Sequence, residues 1–226
     1  AKLFMYGYAL IGKSSDAPPE NTSTGGINKA SRGGGIAAFN GASLYFGYSA
    51  YTSRDENTTA SLDDGGVYFN YATTNGGGIY CQGSEGKEVN VYMASGKIMA
   101  NKAYYSNGGT TYGHGGGIWA NTYCDIYMAG GQISKNSAMN YGGGVYATGN
   151  LFMYGKALIG DTGTSVATSS SYGNIAQAGG GVFVKGESAC LYMGNIGFDG
   201  SGNLLGGTYD DGYGILHNYA SGDASD

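Results

Sequence analysis

The sequence predicts an all-β chain, a parallel β-helix (β-solenoid) of about six coils with three short strands each and an expected right-handed winding. Three features that recur along the chain carry this reading. A Leu-aromatic-Met triplet appears as Leu3-Phe4-Met5, Leu44-Tyr45-Phe46, Val91-Tyr92-Met93, Ile126-Tyr127-Met128, Leu151-Phe152-Met153 and Leu191-Tyr192-Met193. A triple glycine opens an apolar stretch at Gly33, Gly76, Gly115, Gly142 and Gly179, with a looser copy at Gly212-Tyr213-Gly214. An Asn-x-Ala element stands shortly before the glycines, at Asn28, Asn70, Asn101, Asn136 and Asn174.

The strand assignment rests on a period of two. In Leu-Tyr-Met the outer residues share one face and the aromatic points the other way. In the segment after each triple glycine the aliphatic leads, so Ile36, Ile79, Ile118, Val145, Val182 and Ile215 are expected to form one inward column. Helices are excluded because each apolar run is only three to five residues long and ends in glycine. A unit this small cannot bury its own inner face, so the units must stack, with neighbouring coils paired as parallel strands about 4.8 Å apart. Six coils then make a rod on the order of 30 Å long.

Each repeated residue has a physical reason to recur. Glycine tolerates tight corners and close approach of neighbouring coils. Stacked asparagines can adopt left-handed backbone and hydrogen-bond along the axis as an amide ladder. The methionines at 5, 93, 128, 153 and 193 suit an irregular apolar interior better than a metal site.

Successive triple glycines lie 43, 39, 27, 37 and 33 residues apart, so the 27-residue unit is close to the bare coil. The excess is assigned to inserts near residues 13–26, 47–64, 104–114, 161–173 and 199–211, rich in Ser, Thr, Asn, Asp, Gly and Tyr. Most of it is expected at one corner, where the inserts would form one face. The whole chain, residues 1–226, is read as one domain with incomplete coils at both ends.

Composition narrows the function. With 46 glycines but only 2 prolines and no three-residue period, collagen is excluded. An apolar fraction of 41% supports a packed core rather than a disordered linker. A net charge of −5, with 11 basic residues scattered along the chain, argues against nucleic acid or an anionic bilayer as partner. No run of eighteen apolar residues offers a membrane-spanning helix, so direct membrane insertion is not expected. The start, Ala1-Lys2-Leu3, suggests a mature or excised piece. Cys81, Cys124 and Cys190 are too far apart for a CxxC site and odd in number, which reads as semi-buried strand residues rather than a disulfide framework.

The Gly-Gly-Ile/Val-Tyr segments, together with Val67-x-x-Asn70, Ile98-x-x-Asn101 and Ile133-x-x-Asn136, resemble the repeats of chlamydial polymorphic outer-membrane proteins and of similar right-handed β-helix surface proteins of bacteria. Here aliphatics stand where that family has Phe, and no autotransporter barrel follows within these residues. The resemblance implies a secreted or surface-displayed adhesin.

Parallel β-helices also carry polysaccharide lyases and hydrolases, so acid–base side chains matter here. Gly113-His114-Gly115 superficially resembles a polygalacturonase motif, and Asp63-Asp64 and Asp210-Asp211 are paired carboxylates. No Arg-x-Lys element supports them, and the glycine after His114 already belongs to the repeat, so no catalytic residue is assigned. Asp199-Gly200-Ser201-Gly202-Asn203 alternates oxygen ligands but lacks the closing Glu of a calcium loop and reads as a turn. No metal or cofactor is expected.

The candidate binding or packing residues are the outward aromatics: Tyr45, Tyr92, Tyr127, Phe152 and Tyr192 in one column, after Phe4, and Tyr80, Trp119, Tyr146 and Phe183 in another. An exposed aromatic strip marks an interaction site, whereas a buried one stiffens the rod. The expected function is that of an extracellular or cell-surface structural or adhesive element. The ends complement one another on this reading: the chain opens on Leu3-Phe4-Met5 and closes on the glycine strand at 212–217, so terminal coils are expected to self-associate head to tail into a fibre. The alternative is a carbohydrate-active or carbohydrate-binding β-helix with a glycan or host-surface ligand.

Overall fold

The computed structural model describes residues 1–5, 7–12, 28–47, 65–107, 110–162, 173–194, 197–198, 204–205 and 214–221. The chain is a parallel β-helix. Four parallel sheets run its length, and the chain visits them in a fixed order, once per coil.

Sheet 1 stacks Lys2–Met5, Ser43–Phe46, Val89–Met93, Cys124–Met128, Leu151–Met153 and Leu191–Met193. These are the six Leu-aromatic-Met triplets, paired in register so that Leu3, Leu44, Val91, Ile126, Leu151 and Leu191 form one column. Sheet 2 stacks Leu10–Gly12, Gly66–Tyr68, Lys97–Met99, Gln132–Ser134, Leu158–Gly160 and Gly214–Leu216. Sheet 3 holds Lys29–Arg32, Tyr71–Asn75, Lys102–Ala103, Ser137–Ala138, Ile175–Ala176 and Tyr219–Ala220. Sheet 4 holds Ile36–Phe39, Ile79–Gln82, Ile118–Ala120, Val145–Ala147 and Val182–Val184.

Each full coil therefore has four strands where the sequence reading counted three. The extra one begins right after each ladder asparagine and, from the third coil on, is a residue pair too short to announce itself as a strand. Its inward alanine, such as Ala72 or Ala103, is fully buried.

The core is a tube of aliphatic and methionine side chains. Val91, Ile98, Ile118, Ile126, Met128, Ile133, Val145, Leu151, Met153 and Ile159 are all inaccessible to solvent. At about 25 cal/mol per Å² of apolar surface, each such side chain contributes about 2 kcal/mol.

The first glycine of every triplet takes φ between 61° and 66°, which turns the chain from sheet 3 into sheet 4. The third is excluded from bearing a side chain for a different reason: a Cβ on Gly117 would lie 2.6 Å from the Gly144 carbonyl oxygen and 3.0 Å from Asn136 Nδ2.

The end of the chain corrects the sequence reading. Gly214–Leu216 does not continue the triple-glycine column; it pairs with Leu158–Gly160 in sheet 2, placing Ile215 beside Ile159 rather than above Val182. The segment at 212–214 is thus a chance glycine pair, and the sixth coil goes on to sheet 3 without a sheet 4 strand among the described residues. The last described strand, Tyr219–Ala220, thus lies in sheet 3 beside Ile175–Ala176.

The inserts also fall at three corners rather than one. Those at 13–26 and 161–173 join sheet 2 to sheet 3, those at 47–64 and 199–211 join sheet 1 to sheet 2, and that at 104–114 joins sheet 3 to sheet 4. The last is not a plain loop: Tyr105–Asn107 and Thr110–Tyr112 form an antiparallel hairpin that packs against Tyr71–Asn75. Gly197–Phe198 and Leu204–Leu205 form a second antiparallel pair.

Candidate functional site

The six asparagines make one continuous amide ladder. The Nδ2 of Asn28 donates to Oδ1 of Asn70 at 2.9 Å, and the same bond joins Asn70 to Asn101, Asn101 to Asn136, Asn136 to Asn174 and Asn174 to Asn218 at 2.8–3.0 Å. Each acceptor Oδ1 from Asn101 to Asn218 also receives the backbone N–H of the preceding ladder residue at 2.9–3.0 Å. The second amide N–H reaches a sheet 2 carbonyl, as Asn136 does to Ile98 at 2.8 Å. Buried amides satisfied this way impose one coil register, since a shift leaves polar atoms unpaired at about 1–3 kcal/mol apiece.

The left-handed backbone expected at these asparagines belongs, from Asn70 to Asn218, to the residue before each. Phe69, Ala100, Lys135 and His217 have φ between 49° and 57°, and Gly173 has φ 84°. Asn218 was missed in the sequence, although Ile215-x-x-Asn218 followed by Ala220 carries the complete signal. Assigning Ile215 to the glycine column hid it.

The sheet 1 aromatics form an unbroken stack. Centroids are separated by 4.6 Å (Phe4–Tyr45), 5.0 Å (Tyr45–Tyr92), 5.1 Å (Tyr92–Tyr127), 4.8 Å (Tyr127–Phe152) and 4.7 Å (Phe152–Tyr192), with ring planes 3–14° apart. The rings lie flat on one another, so neighbours cover their faces and solvent meets their edges. Such a strip cannot offer ring faces to a sugar along its length. Burial lifts the Tyr127 hydroxyl far above the ordinary phenol range, with Asp125 beside it adding to the effect.

The sheet 4 column is less regular. Tyr80 and Trp119 stack at 4.5 Å, Trp119 and Tyr146 lie 6.3 Å apart, and Tyr146 and Phe183 5.6 Å apart. Tyr80 is only 3% exposed, covered by its neighbours in this column; its hydroxyl donates to Gln82 Oε1 at 2.8 Å. In the first coil Ala37 faces Tyr80, and Phe39 and Arg32 come over its ring instead, at 5.8 and 5.5 Å.

His114 sits in a neighbouring corner column between Asn75 and Tyr141, its ring parallel to Tyr141 at 5.2 Å. Its Nδ1 is buried with no hydrogen-bond partner, and burial, with Lys185 nearby, lowers its pKa. Asp63, Asp64, Asp199, Asp210 and Asp211 lie outside the described residues. Among the described residues no group of three His, Cys, Asp or Glu is arranged to hold a metal ion.

Cys81 and Cys124 are buried free thiols and Cys190 is half-buried. The Cys124 thiol donates to Asn121 Oδ1 at 2.9 Å and accepts the Gly83 N–H at 3.3 Å; burial pushes its pKa up to about 11.

Comparison with protein-family models, curated proteins and solved structures gives no match to this chain.

Proposed function

We propose that the chain is an extracellular β-solenoid serving as a structural or adhesive surface element. The observation that carries this is the allocation of its side chains: six rings and six amides are spent on axial ladders, which give cohesion along the rod. The resemblance of its Gly-Gly-Ile/Val-Tyr segments to chlamydial polymorphic outer-membrane proteins supports display at a bacterial surface. Immunolabelling of intact against permeabilised source cells tests it. Signal on intact cells is expected; label appearing only after permeabilisation would sink the proposal.

End-to-end association belongs to the same reading. Leu191 and Met193, 37% and 43% exposed, continue columns whose other apolar members include the fully buried Leu151 and Met153. A further coil laid there would cover them, whether it came from a second copy or from the same polypeptide. Sedimentation velocity across a concentration series should show growing species if a second copy does so; concentration-independent monomers would count against it.

The second reading, a carbohydrate-active β-helix, draws on the unpartnered Nδ1 of His114 in its aromatic corner. Turnover of an acidic polysaccharide, lost in His114→Ala, would establish it.

A further inference from the structure

We infer that the face formed by sheet 3 and the hairpin at its edge binds a sparsely charged anionic polysaccharide. This rests on the surface-element reading above and names its ligand class. Although the protein carries a net −5, its described carboxylates are segregated, while its cations are spread more widely. Glu85, Glu88, Asp125, Asp161 and Glu187 lie on sheet 1, in the turns leading to it, or just after sheet 2. Sheets 3 and 4 and the corner between them hold Lys29, Arg32 and Lys102 and, among the described residues, no carboxylate.

The cations sit beside aromatic rings on the same face. Lys29 Nζ lies 5.5 Å from the Tyr71 ring centre, and Lys102 Nζ lies 4.7 Å from that of Tyr104. The Tyr71 hydroxyl donates to the Tyr104 carbonyl at 2.7 Å, tying the second coil to the third. Beside them stands the hairpin, whose Tyr112 is 49% exposed and backed on one side by Tyr105 at 5.7 Å. Unlike the sheet 1 stack, this arrangement puts exposed aromatic surface next to ammonium groups, the combination that holds a sugar ring and its carboxylate together.

Charge spacing selects the polymer. Lys29 and Lys102 flank Tyr71 in one column, two strand spacings or about 10 Å apart. A DNA strand carries a phosphate about every 3.4 Å, far denser than this face can match. A glycan charged only on some of its sugars fits the spacing, and the protein's overall negative charge disfavours polyphosphate.

The test is fluorescence-monitored binding of the purified chain to hyaluronan oligomers, which carry a carboxylate on every second sugar, with neutral dextran, poly-glutamate and single-stranded DNA as comparators. Hyaluronan should bind, more weakly as salt rises. Lys29→Gln with Lys102→Gln should weaken it about tenfold or more, and Tyr112→Ala by about threefold to tenfold. Lys156→Gln, on a different corner, should change nothing, and circular dichroism should show all variants folded. Equal binding of poly-glutamate or DNA, equal binding of dextran, indifference to the lysine pair or to Tyr112, or no binding at low salt would each overturn the inference. Because this reads a ligand and immunolabelling reads a location, either can fail without the other.

Discussion

Asn101 Nδ2 donates to Asn136 Oδ1 at 3.0 Å, and the Asn101 backbone N–H reaches the same oxygen at 2.9 Å. One carbonyl oxygen thus closes two donors of the coil before it. Asn136→Ala would strand both, together with the Ile98 carbonyl that its own amide serves. The expected loss is about 3 kcal/mol or more, from buried donors and acceptors left unpaired. Chemical denaturation measures it, and a loss under 1 kcal/mol would show that the ladder is not a major source of stability.

The glycines separate into two kinds by what a methyl group would meet. Gly86 has φ 69° with open space around its Cβ position, so Gly86→Ala should cost only about 1–2 kcal/mol of backbone strain. Gly117 has no positive φ, yet its Cβ would meet the Gly144 carbonyl and the ladder amide, so Gly117→Ala should cost clearly more. Thermal melts of the pair decide it, and the reverse order would refute the close-packing account.

Tyr127 stacks between Tyr92 and Phe152 at 5.1 and 4.8 Å. Tyr127→Phe keeps both contacts and loses only a long 3.3 Å bond to Asp125, so stability should change by less than about 1 kcal/mol. Tyr127→Ala removes both contacts and should cost about 2–3 kcal/mol including lost burial. Equal effects of the two would mean that the stack is decorative.

Alkaline stability should respond to Cys124. Its folded pKa of about 11 stands above the ordinary thiol value of 9.0 through burial, so the unfolded chain gives up its proton first. The stabilisation is intact below about pH 9 and is lost as pH rises toward about 11. Cys124→Ala should flatten that part of the stability–pH curve, and an unchanged slope would assign it elsewhere. His114 acts at the other end: its lowered pKa means stability present above its ordinary value of 6.5 and lost as pH falls through the folded value.

What the sequence made legible were the features written with large or unusual residues. The triplets with an aromatic at their centre gave sheet 1 in full, and the triple glycines gave sheet 4 with its register. The third sheet was hidden because Lys102-Ala103 and Ser137-Ala138 are two-residue strands held by neighbours above and below, a property of the stack and not of the dipeptide. The fate of Ile215 could not be read locally either. An aliphatic after a glycine fits sheet 2 and sheet 4 equally, and only pairing with Ile159 decides. The aromatics were located correctly as a column in sheet 1, yet their usefulness to a ligand turned on ring tilt, which residue identity does not encode.

The amide ladder runs one way. One Nδ2 hydrogen of every asparagine from Asn28 to Asn174, and the backbone N–H of those from Asn70 to Asn174, point to the following coil, against the second Nδ2 hydrogen returned to sheet 2. The glycine N–H groups at the corner also point forward, as Gly34 to Gly76 and Gly77 to Gly115. In the flanking parallel strands bonds run in both directions and largely cancel. Here they add, as peptide dipoles of about 3.5 D add along an α-helix. The seam should make the molecule a permanent electric dipole, positive toward the sixth coil, and transient electric birefringence should show it orienting in a field.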